Sequence, residues 1–180
     1  MRLPQLLQTQ RLNLRPHRLE DFDGFFTFLS NPEATRYITF SSEERTREGS
    51  LAFFEEILAT YDTERPVFGL AIEEQETGAY AGFCGLVNMQ EEQGAEVYYV
   101  LLPEFRRKGY AIELAETLFD HAYRELQVSR LTCFFPKDNG PARKVVEQLG
   151  MQDEGLTDHD AYPTQVHRYT LWRKNWREGK

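Results

Sequence analysis

Only two of the 180 residues are cysteine, and no stretch of about 20 apolar residues occurs. The first scarcity argues against a disulfide-stapled scaffold, and the second means that no helical membrane span is expected. Cys84 and Cys133 each sit inside an apolar run, AGFCGLV and LTCFF, and read as buried free thiols. The opening MRLPQLLQTQRLNL lacks the continuous apolar core of a secretory signal, so a cytoplasmic location is expected. No His or Cys cluster has metal-ligand spacing, so no metal is expected. Asp158-His159-Asp160 comes nearest, in a polar, turn-rich stretch that reads as a solvated loop. Neither GxxxxGK[ST] nor GxGxxG is present, which removes the P-loop and dinucleotide fingerprints. Cations are also short: 21 Lys and Arg stand against 29 Asp and Glu, a net charge of −8. That balance argues against a nucleic-acid binder and is compatible with a cationic or amine partner.

What is present reads as one α/β domain. Hydrophobic residues make up 41% of a chain long enough for one well-cored unit and too short for two. QRLNLRP alternates as a strand does, with Leu12 and Leu14 on one face and Arg11, Asn13 and Arg15 on the other. Leu19, Phe22, Phe25, Phe26 and Leu29 then follow a helical stripe that Asn31-Pro32 stops. Residues 41–61 carry a second stripe, with Ser41 or Ser42 as the expected N-cap. From residue 66 the period changes, and PVFGLAIEE, AYAGFCGLVNM and GAEVYYVLL read as strands joined by hairpin turns. A helix from GYAIELAETLFDHAYRE, a strand SRLTCFF, a helix PARKVVEQLG and two terminal strands complete a mixed sheet. Pro141 suits an early helical position and Gly150 a C-cap.

One stretch stands out against the acidic background. Arg106, Arg107 and Lys108 run into Gly109-Tyr110-Ala111 at the mouth of a helix. Helix N-termini leave backbone N–H groups unpaired and carry partial positive charge. A glycine there lets a bulky anion approach the main chain, and the cations add full charge. The loop therefore suits a diphosphate; a solvated basic turn that happens to precede a helix is the other reading.

The segment AEVYYVLLPEFRRKGYAIEL closely resembles the acyl-CoA loop of the GNAT superfamily of N-acetyltransferases, Gln/Arg-x-x-Gly-x-Gly/Ala. Arg106, Gly109 and Ala111 occupy its three defining places, and Pro103 stands where the family has a proline. NGPARKVVEQLGM is similar to a second family element, with Asn139, Leu149 and Gly150 in register and Met151 for its Phe. TQRLNLRPHRLEDFDGFFTFLSNPEATRYI looks like the entry of the ribosomal-protein N-terminal acetyltransferase branch. Together the likeness runs from about residue 8 to residue 172. It implies a single acyl-CoA N-acyltransferase domain over residues 1–180. The implied fold is a mixed, mostly antiparallel sheet of six to seven strands flanked by about four helices.

The resemblance further implies direct attack of an amine on the thioester of acetyl-CoA, without an acyl-enzyme. The diphosphate would lie on the backbone N–H groups of Arg107, Lys108, Gly109, Tyr110 and Ala111, beside Arg106. Tyr99, Val100 and Leu101 would offer backbone donors to the pantetheine arm and thioester carbonyl. Asn139 would hydrogen-bond the arm or the sulfur region; as a helix N-cap it has an equally good structural role. Glu96 is the candidate base, with a solvent-facing strand carboxylate as the other reading. A base matters more for a lysine-type amine, well below about 0.1% neutral at pH 7, than for an α-amino group at roughly 10%. Glu113 matches a branch residue and is expected to orient the helix or loop. Two departures stand out: Val146 replaces a Tyr that in some relatives protonates the thiolate, and Ala142 replaces a Ser. Tyr98 or Tyr162 could serve instead, or the thiolate leaves unassisted; a non-catalytic acyl-CoA-binding or sensor domain is the alternative function. The acceptor would be a protein N-terminal amine or a small amine, held by a monomer or a homodimer. The early helices, Tyr37-Ile38 and residues 156–165 are the expected cleft walls, with the carboxylates of QEEQGAE and TDHD either attracting a cation or simply solvated.

Overall fold

The computed structural model describes residues 3–64, 67–89 and 93–176. In chain order the elements are β1 (Leu7–Gln8), β2 (Leu12–Pro16), α1 (Phe22–Ser30), α2 (Arg47–Thr60), β3 (Phe68–Glu74) and β4 (Tyr80–Met89). Then follow β5 (Gly94–Leu101), α3 (Tyr110–Arg124), β6 (Arg130–Pro136), α4 (Gly140–Gln148), β7 (Gln152–Thr157) and β8 (Val166–Trp172). The eight strands among the described residues form one sheet, ordered β1-β2-β3-β4-β5-β6-β8-β7. Every neighbouring pair is antiparallel except β5 and β6. The expected six to seven strands become eight because β1 is two residues long, too short to leave a period in the sequence.

Strand register assigns the two faces. Val100 pairs with Phe83, Phe83 with Ala71 and Ala71 with Arg15, so these residues share a face with Glu96 and Tyr98. Helices α1 and α2 cover it, and Phe25 and Phe28 pack on Phe83 at ring separations of 5.6 and 5.1 Å. Leu12, Leu14, Leu70 and Ile72 point to the opposite face, where α3 packs against β1, β2 and β5 through fully buried Leu114, Leu118 and Phe119. Each such Leu or Phe contributes about 1.5–3 kcal/mol when taken out of water.

Two local expectations need correction. Leu19 lies in a short 3-10 turn ahead of α1 and is 60% exposed, so it belongs to the entry to the helix and not to its core stripe. Helix α2 begins at Arg47 with Thr46 as N-cap, its Oγ1 accepting the Gly49 N–H at 3.0 Å. Ser41 caps a separate turn: it accepts the Glu44 N–H at 3.1 Å, while its own N–H donates to Glu44 Oε2 at 2.7 Å. Both serines satisfy the composition of a cap; the helix starts where the backbone turns inward.

The start of α1 is tied to the sheet by charge. Arg15 donates Nη1 and Nη2 to the two oxygens of Asp21 at 2.7 and 2.9 Å, and Nη2 also reaches Glu73 at 2.7 Å. Burial alone would raise the Asp21 carboxyl, but hydrogen bonds from Arg15 and the Arg18 N–H outweigh it and hold the group low. Beside this cluster His17 is 5% exposed and walled by Phe25, Phe54, Tyr80 and Phe83. Burial pushes its imidazole from 6.5 down to about 4.

That shift sets a pH dependence. Between pH 6.5 and about 4 the unfolded chain protonates His17 and the folded chain does not. Stability should therefore fall with acidification by up to about 3 kcal/mol from this group. Urea unfolding of wild type and His17→Phe at pH 7 and pH 5 checks it. The variant should lose most of the slope, keeping a remainder from His121, whose pKa burial also lowers. An unchanged slope would assign the acid sensitivity elsewhere.

Candidate active site

The sheet comes apart at one place. Strands β5 and β6 pair in parallel only through Gly94–Arg130, Ala95–Leu131 and Glu96–Thr132. Beyond Glu96, β5 stays bonded to β4 as far as Leu101 and β6 to β8 as far as Pro136, but the two strands no longer bond to each other. Buried main-chain groups are costly to leave unpaired, so the facing edges of residues 97–101 and 133–136 form an opening with backbone partners to offer. Tyr99, Val100 and Leu101 line its β5 side.

The cationic loop stands at the end of that opening. The amide of Arg106 is used within a 3-10 turn, and the first amide bonded into α3 is that of Glu113, to Gly109 O at 3.3 Å. No acceptor among the described residues takes the amides of residues 107–112. Gly109 holds φ +83°, and a Cβ there would sit 3.3 Å from Arg11 Nη2. Arg107, at φ 60°, is exposed and has no ion-pair or hydrogen-bond partner among the described residues.

The other side chains of the loop are engaged. Arg106 donates Nε to Leu101 O at 2.9 Å and Nη2 to Ala34 O at 3.3 Å, fastening the end of β5 to the segment after α1. Lys108 pairs with Glu74 at 3.4 Å and lies over the rings of Phe105 and Tyr110. Tyr110 is buried, donates to Glu74 at 2.5 Å and carries the Arg11 guanidinium over its ring. Ala111 is half-buried. Glu113 binds Arg11 Nη2 at 2.7 Å and accepts from Thr9, so it ties the N-terminal hairpin to the first turn of α3.

Glu96 marks the point where the strands part. Its Oε2 lies 3.2 Å from His159 Nε2, and each side chain is 21% exposed. His159 packs tilted against the Phe134 ring of β6 at 4.5 Å and meets the Tyr162 ring at 5.5 Å. The expectation of a solvated Asp158-His159-Asp160 loop is thus corrected for its middle residue; only the two aspartates are exposed. Nothing local in the chain marks this, since the partner lies 63 residues away. Tyr162 points its hydroxyl at Phe134 O, 3.5 Å away, and burial pushes its pKa up to about 12. Tyr98 instead lies across Gly85 toward β3, with its hydroxyl 3.3 Å from where a Cβ on Gly69 would be. Val146 is 1% exposed in the core.

Asn139 caps α4, its Oδ1 accepting the Ala142 N–H at 3.2 Å. Tyr37 reaches across from the α1–α2 segment to donate to Asp138 O at 3.3 Å, beside that cap. Of the acidic hairpin expected to face an acceptor, Gln90, Glu91 and Glu92 lie outside the described residues. Among the described residues no cluster of His, Cys, Asp and Glu could hold a metal ion, and no helix is long and apolar enough to cross a membrane. Cys84 and Cys133 are both buried and free.

Known proteins resemble this chain in sequence or in fold. The "uncharacterized N-acetyltransferase p20" of Bacillus licheniformis is 29% identical over 162 residues, covering 84% of this chain and 85% of that protein. The fold matches that of Mycobacterium smegmatis RimJ in complex with CoA-disulfide, with a TM-score of 0.80 at 16% identity over 95% of this chain and 88% of that one. It also matches spermidine N-acetyltransferase from Vibrio cholerae in complex with CoA and spermine, with a TM-score of 0.77 at 16% identity over 92% of this chain and 97% of that one. The sequence profile of the acetyltransferase (GNAT) domain matches residues 11–152, so the chain belongs to the GNAT family and is an N-acetyltransferase.

Proposed function

We propose that this N-acetyltransferase uses the whole of residues 1–180 as one catalytic domain with acetyl-CoA as its acyl donor. The diphosphate lies on the amides of residues 107–111, the pantetheine arm enters the opening between β5 and β6, and a primary amine approaches from the α1/α2 face. The observation that carries this reading is the adjacency of two sets of unpaired backbone groups, along β5 after Glu96 and at the mouth of α3.

Each residue then has a role that its chemistry permits. Backbone groups of Tyr99, Val100 and Leu101 hold the arm and polarise the thioester carbonyl. Arg107 supplies the full charge nearest the diphosphate, while Arg106, Lys108 and Tyr110 keep the loop in shape. Asn139 caps α4 through Oδ1 and retains its amide N–H groups for the arm. Glu96 takes a proton from the incoming ammonium. The neutral nitrogen bonds to the thioester carbon, the C–S bond breaks, and the thiolate takes up the second proton that the nitrogen sheds. An ammonium and a thioester thus give an amide, a thiol and one proton. What favours Tyr162 over Tyr98 as carrier of that second proton is position: Tyr162 reaches toward the β6 edge, whereas Tyr98 reaches away toward β3.

For the acceptor we infer a primary amine of either of two kinds. Likeness to the ribosomal-protein branch supports a protein N-terminus. The spermine-bound Vibrio cholerae enzyme, a fold relative, supports a small polyamine. The parted strands and the loop serve both equally.

Two variants test the reading. Gly109→Trp puts a large side chain over the free amides at a positive φ. The strain costs about 1–2 kcal/mol, so melting should drop by a few degrees with the fold intact. Calorimetry should find acetyl-CoA binding abolished, and unchanged affinity would sink the diphosphate assignment. Glu96→Gln should leave that affinity alone and lower kcat by about 10²–10⁴-fold, read as thiol release with spermidine and with a short peptide bearing a free α-amino group. Wild-type turnover in this variant would remove Glu96 as the base.

A further inference from the structure

The contact between Glu96 and His159 is more specific than two polar groups meeting. His159 uses both ring nitrogens: Nδ1 lies 3.2 Å from the Ala161 N–H, and Nε2 lies 3.2 Å from Glu96 Oε2. An amide N–H can only donate, so Nδ1 must present its lone pair. The ring proton is therefore on Nε2, where it donates to the carboxylate. A second proton, on Nδ1, would point at the amide hydrogen.

The ring is also held where it stands. It packs tilted against Phe134 at 4.5 Å and meets Tyr162 edge-on at 5.5 Å. Tyr162 in turn closes the turn by donating its N–H to His159 O at 2.9 Å. The β7–β8 loop is thus pinned onto β6 beside the last residue pair that joins β5 to β6.

We propose that His159 is a positioning residue for Glu96: its Nε2–H holds Oε2 and leaves Oε1 to accept the acceptor's proton. The inference rests on the reading of Glu96 as base. It assigns no proton transfer to the imidazole, because the group behind Nδ1 is a donor and cannot take a proton onward. The loop TDHDAY, distant in sequence from the donor-binding elements, thereby enters the catalytic apparatus through one hydrogen bond.

Two variants separate the bond from the packing. His159→Phe keeps a ring against Phe134 and removes the donor; His159→Gln offers an amide N–H in its place. Ring ¹⁵N NMR of the wild type, with the signal assigned by its loss in His159→Phe, should show protonated Nε2 and bare Nδ1 whatever the acceptor is. An Nδ1–H tautomer with a bare Nε2 would overturn the inference. In thiol release with spermidine and with the α-amino peptide, His159→Phe should lower kcat by about tenfold to a hundredfold, the worth of a hydrogen bond to a charged group. Acetyl-CoA affinity and melting should stay at wild-type values, and His159→Gln should recover part of the loss. Added to Glu96→Gln, His159→Phe should cost nothing more. Wild-type turnover in His159→Phe alongside a crippled Glu96→Gln overturns the positioning role and leaves the base in place. A fully active Glu96→Gln overturns the base, and the positioning role with it.

Discussion

Everything at the candidate site depends on the shortness of one parallel pairing. β5 and β6 share only the pairs at Gly94, Ala95 and Glu96, and beyond them the facing edges no longer supply each other's main-chain donors and acceptors. Such groups cost free energy comparable to a lost hydrogen bond unless a ligand or water satisfies them. A fold that keeps the opening keeps capacity to bind something extended and rich in amides. The rest of the sheet frames the gap: β4 holds β5 to its end and β8 holds β6 to its end.

The charge pattern follows from the same geometry. The chain carries a net charge of −8, yet the loop before α3 concentrates cations where six amides in a row lack acceptors. The cations differ in use. Arg106 and Lys108 are committed to carbonyls, rings and Glu74, and so act as internal struts. Arg107 alone of the three stays free among the described residues, in a left-handed conformation that turns it outward. A guanidinium strut from Leu101 to Ala34 also joins the end of β5 to the segment that reaches Asp138 through Tyr37. The cationic loop and the segment after α1 are therefore parts of one connected frame.

Much of the fold was legible in the chain because its signals are local. The change from helical to alternating period near residue 66 marks β3 to β5, Pro141 and Gly150 bracket α4, and the glycine of the cationic loop announces the start of α3. The errors were of two physical kinds. Leu19 and Ser41 had the right composition for a stripe and a cap, but tertiary packing placed the helix boundaries elsewhere. His159 was invisible for a different reason: its surroundings in sequence are polar, and its partners Glu96 and Phe134 arrive only when β5, β6 and the β7–β8 loop assemble. Arg15 shows the same limit, since alternation gave its face correctly and could not show that α1 and Asp21 would bury it.

The central claim is that the unpaired amides before α3 receive the diphosphate of the acyl donor. Residue-resolved hydrogen exchange with and without saturating CoA tests it directly. Strong protection of the amides of residues 107–111 is expected on binding, together with slower exchange along Tyr99 to Leu101. Binding that protects the β5 edge and leaves residues 107–111 exchanging as in the free protein would contradict it.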